Sequence, residues 1–544
     1  MFKKENLIVF SFLFIVLLIF ILKISTVNAK DFDDLYIKSG GIISYIHLKE
    51  GNIKYYDYAI KNSEKDSKKT VNNIKKNTFY IAANVSNKNK QKIANLLNNY
   101  SNIKLFKNSG IISIETTKSE LNKFLENLIT LTKIKYVQRG AKKTFDSKFK
   151  ELKGTKKINV DSDNLEYAPR DPLFEEQWYL YNSDEEGVDL GYLGYRKFID
   201  EQNYKYNKNN PPVIAIVDIG IYYDTPELLN RVYVNSGEIP NNNVDDDNNG
   251  YIDDYRGVDI GHPECTLTEC IDGYEAYHGT AMSSIIAAKT DNNMYMTGLL
   301  PDEAKILPLS ASSDYSTVDK YNEAYDYILE MKNKGVNIVA VNVSAGGPYD
   351  RVEYSLIEKF LDANILVVAA AGNENKNIDN SGNGGNGFFD IPTGAYPAAY
   401  DLDNIISVGA INRYGEPTVF TNYGHVVDIY MPGEEIISLN YPPSVIIGSG
   451  TSQAAAVTSG VVGIAAYLYP NCVGLELKDL LLDRSSQNIG SFTVEFTNQI
   501  LNRLFASDDI FNMNMIKLSS SEGDALITES GLNNVNCNSF GIGR

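Results

Sequence analysis

The chain has 544 residues and a formal net charge of −18 at neutral pH, and it is long enough for more than one folding unit. Residues 31–150 carry 23 lysines and arginines against 11 acidic residues, whereas residues 151–544 carry 24 against 57. The basic segment lacks the interleaved aromatic residues of a nucleic-acid stacking platform, so we do not expect nucleic acid as a partner. The opposite charges favour attraction between the two parts, the alternative being two unrelated solvated surfaces.

The first 29 residues have the features of an export signal. Two lysines precede an apolar run over 7–22, and residues 27–29 form the small-residue stretch that is typical of a signal cleavage site. The pattern predicts a secretory signal that is cut after Ala29, and the alternative is an uncleaved membrane anchor. No later stretch is apolar enough to cross a bilayer, so we expect a protein that is secreted or held at the cell surface.

The basic segment contains two different parts. Residues 30–76 form a polar N-terminal prosegment without a clear motif, whereas residues 77–141 alternate regularly between strand and helix patterns. Strands are expected at 79–85, 103–106, 111–116 and 134–137, and helices are expected around Ile93 to Leu97 and Leu121 to Leu128. The resulting β-α-β-β-α-β order is that of a ferredoxin-like α+β domain.

Residues 142–170 have mixed charges, little apolar periodicity and a proline at position 169, which predicts an exposed linker. At the other end of the chain, the Ser- and Asn-rich residues 509–544 are predicted to form a loosely ordered tail, unless a disulfide through Cys537 ties it down.

Between the linker and the tail, residues 171–508 have the pattern of one α/β domain. Apolar runs typical of buried strands alternate with helix-like segments. The strands are expected at 213–217, 338–343 and 365–370, and the helices at 318–332 and 352–361. This alternation predicts a largely parallel sheet between helices, with functional groups at the carboxyl ends of the strands.

Three residues of this domain form a candidate catalytic set. Asp218 ends the first predicted strand, His278 opens a run of small apolar residues typical of a helix, and Ser452 stands where Gly448-Ser449-Gly450 leads into another helix. A serine hydroxyl needs a base within hydrogen-bond reach and a third group that orients the base. We therefore predict that these side chains converge as an Asp/His/Ser triad.

The residues around this set resemble the subtilisin-like serine peptidases. The runs IAIVDIGI around Asp218, HGT at 278–280 and GTSQA around Ser452 occur in that family's order. Four further stretches agree, namely VNVSAGG at 341–347, VVAAAGN at 367–373, VFTNYG at 419–424 and DIYMPG at 428–433. The resemblance extends from about residue 171 to about residue 506.

The resemblance implies a serine endopeptidase that cleaves protein or peptide substrates through an acyl-enzyme. It implies that Asn373 and the Ser452 main-chain N–H stabilise the oxyanion, and that Ser344, Ala345 and Gly346 pair with extended peptide. It also implies that the ferredoxin-like domain is an inhibitory propeptide, so that the protein is made as a self-processing zymogen and its own propeptide is an intramolecular inhibitor. The prosegment is then expected to be removed by a cut in the linker at 142–170 or just before it.

Two positions depart from the family pattern. Ile219 stands where a hydroxyl residue usually follows the aspartate, and Ala456 replaces a proline after the nucleophile. Alanine favours helix, so the second change leaves the helix intact. The first removes a side chain that could support the carboxylate, and it is the basis of an alternative hypothesis, a secreted binding protein that keeps the fold without activity.

An acidic loop forms a candidate calcium site. Asp245, Asp247, Asn249, the Tyr251 carbonyl and Asp253 match the first part of an EF-hand-type loop, although the last position falls on an arginine. We predict structural calcium here, with an ordinary solvated acidic turn as the alternative.

Four cysteines, Cys265, Cys270, Cys472 and Cys537, fit an exported protein and allow three disulfide pairings.

Overall fold

The computed structural model describes residues 34–39, 42–49, 52–59, 77–83, 87–98, 100, 103–106, 108–132, 134–139, 148–151, 165–184, 187–206, 209–262, 276–311, 318–379, 396–441, 444–484, 486–494, 509–520, 525–528 and 531–532. The predicted export signal, Cys265, Cys270 and Cys537 lie outside these residues. Cys472 is buried and disulfide-bonded. Within the described ranges, no helix combines the length and the apolar character needed to cross a membrane.

The strands of the prosegment and linker are β1 Asp34–Ser39, β2 Ile42–Lys49, β3 Asn52–Ala59, β4 Asn77–Ala83, β5 Ile103–Phe106, β6 Ile111–Thr116, β7 Ile134–Arg139 and β8 Lys148–Glu151. Those that follow are β9 Val213–Asp218, β10 Val258–Asp259, β11 Lys305–Ser310, β12 Ile338–Val343, β13 Leu366–Ala370, β14 Ile405–Ile411, β15 Ile429–Pro432, β16 Ile436–Asn440, β17 Ser444–Ser449, β18 Ser486–Val494, β19 Asp509–Ser520, β20 Ala525–Thr528 and β21 Gly531–Leu532. The helices are α1 Asn87–Leu97, α2 Lys118–Ile129, α3 Tyr192–Glu201, α4 Ala276–Ala287, α5 Val318–Asn333, α6 Arg351–Asp362, α7 Thr451–Leu468 and α8 Leu475–Asp479.

The ferredoxin-like order of the prosegment is present. Strands β4 to β7 form an antiparallel sheet in the order β5-β6-β4-β7, and α1 and α2 connect them. Helix α2 begins with a capping box, in which the Thr117 hydroxyl accepts from the Glu120 N–H and the Glu120 carboxylate accepts from the Thr117 N–H. Apolar side chains of both helices and of the sheet share one buried core, so this segment is a packed domain.

The body of the protein is an α/β domain. Seven strands form one sheet in the order β10-β11-β9-β12-β13-β14-β15, and every pair in it is parallel. Strands β9, β12, β13 and β14 are buried along their whole length, as expected for a sheet covered by helices on both faces. The predicted parallel sheet between helices is confirmed.

The linker contains structure that the sequence pattern did not predict. Within the residues predicted to be an exposed linker, β8 pairs antiparallel with β17, which itself pairs with β16. The segment KFKE has only one apolar residue, so its own pattern does not specify a strand. The edge of β17 supplies the hydrogen-bond partners of this segment. Pairing with a distant part of the chain therefore determines the strand conformation of residues 148–151.

The expectation of a loosely ordered tail is wrong for its first half. Strand β19 pairs with β18 and β20, and β21 completes a sheet of four strands. Residues 510–515 read Ile-Phe-Asn-Met-Asn-Met, so Phe, Met and Met alternate with Asn from position 511. Alternation of this kind favours a half-buried strand, and Met515 is fully buried.

Candidate active site

Asp218 and His278 meet at the carboxyl end of β9. His278 lies in α4, and its Nδ1 is 2.8 Å from Asp218 Oδ1 and 3.0 Å from Oδ2. Both residues are fully buried. The main-chain N–H of Ile219 donates to the same Oδ1 at 2.8 Å. A carboxylate only accepts, so Nδ1 carries the proton and Nε2 is left as the basic nitrogen of the neutral ring.

The HGT sequence explains why the helix can approach the strand so closely. A Cβ on Gly279 would lie 2.2 Å from the Gly220 carbonyl oxygen and 2.9 Å from the Asp218 Cβ. The Thr280 hydroxyl accepts a hydrogen bond from the Tyr222 N–H at 2.9 Å, which ties α4 to the turn after β9. Together the glycine and the threonine set the distance between the imidazole and the carboxylate.

Ser452 occupies the first turn of α7, which packs against α4. The residue before it fixes this helix end to the loop after β13. Thr451 donates its main-chain N–H to Asn373 Oδ1 at 2.8 Å and its hydroxyl to the same atom at 3.0 Å. The Thr451 hydroxyl also accepts from the Gly372 N–H at 3.0 Å. The serine, the threonine and the asparagine are therefore held as one unit.

The orientation of the Asn373 amide follows from these bonds. The Thr451 N–H can only donate, so the side-chain atom that faces it is the oxygen, and Nδ2 is turned to the other side of the amide. Asn422 holds the loop itself, because its Oδ1 accepts from the Glu374 and Lys376 N–H groups at 3.1 and 2.9 Å. Gly372 has a φ of 103°, and a Cβ there would lie 2.4 Å from Asn422 Nδ2.

Ser452 is also linked to β12. Its hydroxyl donates to the Ser344 carbonyl oxygen at 3.1 Å, and the Ser344 hydroxyl donates to the Ser452 carbonyl oxygen at 3.1 Å. Asn342 donates to the Ser344 hydroxyl at 3.0 Å and accepts from Ser459 at 2.9 Å. Sequence reasoning missed Asn342 and Ser459. The available signal was the placement of buried polar residues in an otherwise apolar strand and helix.

The cleft beside His278 contains part of the linker. Residue Phe149 of β8 packs edge-on against the rings of Tyr277 and His278, with centroid distances of 5.3 and 6.0 Å. On the buried side, Tyr321 lies near Asp218. Burial and, to a smaller extent, the charge of the Asp218 carboxylate raise the pKa of Tyr321 well above the ordinary value for tyrosine. The imidazole is fully buried.

One large cavity among the described residues lies away from these side chains. A cavity of about 460 Å³ is lined by residues of α3 and by Tyr467 near the end of α7. Its lining includes none of Asp218, His278 and Ser452.

The acidic loop contains a cluster of carboxylates different from the predicted set. Glu238, Asp247 and Asp254 each offer an oxygen, and these oxygens lie within 4.8 Å of one another. Glu238 is buried and its Oε2 has no hydrogen-bond partner. Burial, with the charges of the two neighbours, raises the pKa of Glu238. Oxygen donors at this spacing, with one of them unsatisfied, suit a hard cation such as calcium.

Of the predicted ligands, Asp247 belongs to this cluster and Asp245 and Asp253 have other partners. Asp245 accepts from the Asn249 and Gly250 N–H groups, both at 2.9 Å. Asp253 accepts from the N–H groups of residues 242 and 243 at 3.0 and 2.9 Å. These bonds shape the turns of the loop. A ligand role for Asp245, Asn249, Tyr251 or Asp253 stays a prediction.

A sequence profile described as the subtilase family matches residues 209–506, which is more than half of the chain. The chain belongs to the subtilase family. Among curated relatives, this subtilase is 28% identical over 309 residues to a cell wall-associated protease of Bacillus subtilis, with 56% of the chain and 29% of the relative covered. It is 29% identical over 263 residues to an intracellular serine protease of Paenibacillus polymyxa, with 47% of the chain and 66% of the relative covered.

An alkaline protease of Aspergillus clavatus is 33% identical to the subtilase over 201 residues, covering 37% of the chain and 43% of the relative. The subtilase thus spans 29% to 66% of the length of these relatives. Two solved structures share its fold. Fervidolysin from Fervidobacterium pennivorans aligns with a TM-score of 0.55 and 19% identity, over 81% of the chain and 60% of fervidolysin.

The second structure is the epidermin leader peptide processing serine protease of Staphylococcus aureus. It aligns with the subtilase with a TM-score of 0.52 and 16% identity, over 76% of the chain and 93% of that protein. At these identities the likeness concerns the fold.

Proposed function

We propose that the protein is a secreted serine endopeptidase that is made as a self-processing precursor and hydrolyses peptide bonds with Ser452, His278 and Asp218. The observation that carries the proposal is the short contact between His278 Nδ1 and both Asp218 oxygens, on a helix that packs against the helix of Ser452. A carboxylate, an imidazole and a serine hydroxyl are the groups that acyl transfer requires.

In the proposed reaction, the Ser452 hydroxyl turns from the Ser344 carbonyl oxygen towards the imidazole and attacks the scissile carbonyl. His278 Nε2 takes the hydroxyl proton and returns it to the leaving amine, while Asp218 stabilises the imidazolium. Water then attacks the acyl-enzyme with the same proton transfers, which releases the acid and restores the serine. The Ser344 to Gly346 segment is proposed to pair with the extended substrate.

Oxyanion stabilisation is proposed to come from Asn373 Nδ2 and the Ser452 N–H. The supporting observation is that Thr451 holds Asn373 Oδ1 at 2.8 and 3.0 Å, so the donor end of the amide is pre-oriented without any contribution from substrate. Donors that are fixed before charge develops are the most effective, and losing one costs about 10²–10³ in kcat.

The propeptide role is supported by direct contacts between the prosegment and the body. The turn between β5 and β6 docks on α5, where the Ser109 N–H donates to Asp326 Oδ1 at 3.1 Å and Asn108 donates to Glu330 at 3.2 Å. Lys104 pairs with Glu323 and lies 4.9 Å above the Tyr251 ring. These contacts agree with attraction between the basic and the acidic parts of the chain.

Structural calcium and export complete the proposal. The cation would be held by Glu238, Asp247 and Asp254, where its charge would satisfy the unpartnered Glu238 Oε2.

Export is supported by the apolar run at 7–22, and one similar protein is a cell wall-associated protease. N-terminal sequencing of the Ser452→Ala precursor recovered from culture medium, which should retain its prosegment, would test the expected cut after Ala29.

The decisive experiment compares the wild-type precursor with Ser452→Ala and with Thr458→Ala, which removes a buried hydroxyl that bonds only to the Ala454 carbonyl oxygen of the same helix. We expect the wild type and Thr458→Ala to shed the prosegment and to react with a serine-directed phosphonate. Ser452→Ala should do neither while keeping a normal melting temperature. If the folded wild type neither processes nor reacts, the protein is the inactive binding protein instead. The Ile219 N–H bond to Asp218 argues against that alternative.

A further inference from the structure

The linker strand β8 adds a third strand to the hairpin β16–β17. Residue Lys148 pairs with Ser449, Phe149 with Gly448, Lys150 with Ile447 and Glu151 with Ile446. Main-chain pairing to an exposed strand edge is how many proteins hold an extended peptide. The chain therefore displays a peptide, its own, bound beside His278.

The direction of β8 identifies the half of the cleft that it occupies. Strand β17 leads into Gly450 and then into the helix that begins at Thr451 and carries Ser452. Because the pairing is antiparallel, Lys148 is nearest to that helix and Glu151 is farthest from it. In a substrate bound in this orientation, the scissile bond that faces Ser452 lies upstream of the position of Lys148. The substrate residues that pair with the hairpin therefore belong to the leaving-group side of that bond.

Phe149 fills a space that depends on a glycine. A Cβ on Gly448 would lie 2.8 and 3.0 Å from two Phe149 ring atoms and 2.3 Å from Gln453 Nε2. The absence of a side chain lets the ring reach Tyr277 and His278, which it meets edge-on at 5.3 and 6.0 Å. Edge-to-face ring pairs are favourable beyond the area they bury.

Lys150 reaches an acidic side chain at the start of the same hairpin. Its Nζ is 2.9 Å from Glu435 Oε1, and both side chains are more than half exposed, at 63% and 52%. The Glu435 N–H donates to the Ser449 hydroxyl at 3.0 Å, which fixes the backbone below the carboxylate. An exposed pair contributes modestly, so it would give a charge preference and not an absolute requirement.

We propose that Gly448, Tyr277 and Glu435 form a leaving-group subsite that selects an aromatic residue followed by a basic one. The strand β8 shows the preferred pattern, with Phe149 against the rings and Lys150 against the carboxylate. The subsite rests on the proposed peptidase function and adds the substrate class that the cleft accepts.

The test uses enzyme from which β8 has been removed by processing, together with a synthetic peptide of residues 139–155. The value of kcat/KM is measured and the cleaved bond is located by mass spectrometry. We expect cleavage upstream of Lys148. Phe149→Ala in the peptide should lower kcat/KM about 2–10-fold. Lys150→Glu should lower it about 2–5-fold. With Glu435→Lys enzyme the preference at position 150 should reverse, which is a readout that a merely structural role of Glu435 would not produce.

Casein hydrolysis separates the two levels of the proposal. Suppose that casein is cut but the wild-type, Phe149→Ala and Lys150→Glu peptides are cut equally, are cut only after Phe149 or are not cut. The subsite is then refuted and the peptidase function stands. If folded enzyme cuts neither casein nor peptide, the peptidase function itself fails. Equal effects of Lys150→Glu on wild-type and Glu435→Lys enzyme would refute the role of Glu435.

Discussion

Substitution of Gly279 by alanine tests whether the spacing between α4 and β9 sets the activity. The new Cβ would lie 2.2 Å from the Gly220 carbonyl oxygen, 2.7 Å from Ile221 Cγ1 and 2.9 Å from the Asp218 Cβ. Since a carbonyl oxygen belongs to the backbone, the helix itself has to move by roughly 1 Å to restore ordinary contact. A shift of about 1 Å at a catalytic group can cost about 10²-fold.

We therefore expect Gly279→Ala to lower kcat about 100-fold on a fluorogenic peptide and to destabilise the fold by about 1–3 kcal/mol. Gly463→Ala is the matched control. It crowds a helical glycine equally, at 2.1 Å, but against the terminal Leu300 Cδ2, which can rotate away. The control should lose stability and retain kcat within about threefold. A folded Gly279→Ala enzyme with wild-type kcat would refute the reasoning.

Three further predictions concern buried charge, the prosegment and the cation. Burial and then the charge of Asp171 raise the pKa of Glu227 to about 7. The folded state therefore keeps this proton to a higher pH than the unfolded state does. As a result, the free energy of unfolding falls by up to about 3 kcal/mol between pH 4.5 and 7. Urea titrations at pH 5 and 8 in chelator should show a smaller pH difference for Glu227→Gln than for the wild type, and equal differences would contradict the assignment. Lys104→Ala should weaken binding of the separated prosegment about 2–10-fold and reduce its salt dependence, whereas unchanged affinity by titration calorimetry would exclude the contact. Chelation should lower the wild-type melting temperature by several degrees and leave that of Glu238→Gln unchanged, and an identical shift in both would move the cation elsewhere.

The strands and the meeting of Asp218 with His278 could be predicted because their signals are local. Residues 213–218 form an uninterrupted buried run, and the turn residues that follow place Asp218 at the sheet end where groups gather. The small residues around His278 and Ser452 similarly predict close approach, and the structure gives the reason at Gly279. In these stretches the local pattern and the tertiary packing agree.

The parts that could not be predicted depend on partners distant in sequence. Nothing in Lys148–Glu151 indicates a strand, because its hydrogen-bond partners belong to Ile446–Ser449, about 300 positions later. The carboxylate cluster of the acidic loop could not be found from the sequence for a related reason. Its periodicity selects Asp245 and Asp253, yet their oxygens close turns within the loop, while Glu238 joins the cluster from outside the repeat.

The strand beside the active site has a consequence for activation. Once the bond upstream of Lys148 is hydrolysed, the new amino terminus is not free to diffuse, since residues 152–164 join it covalently to the body. The first turnover would thus leave each molecule occupied by its own product at a high effective concentration. Only a second cut, made most readily by another molecule, would empty the cleft, and the appearance of activity in a purified sample should then accelerate with protein concentration.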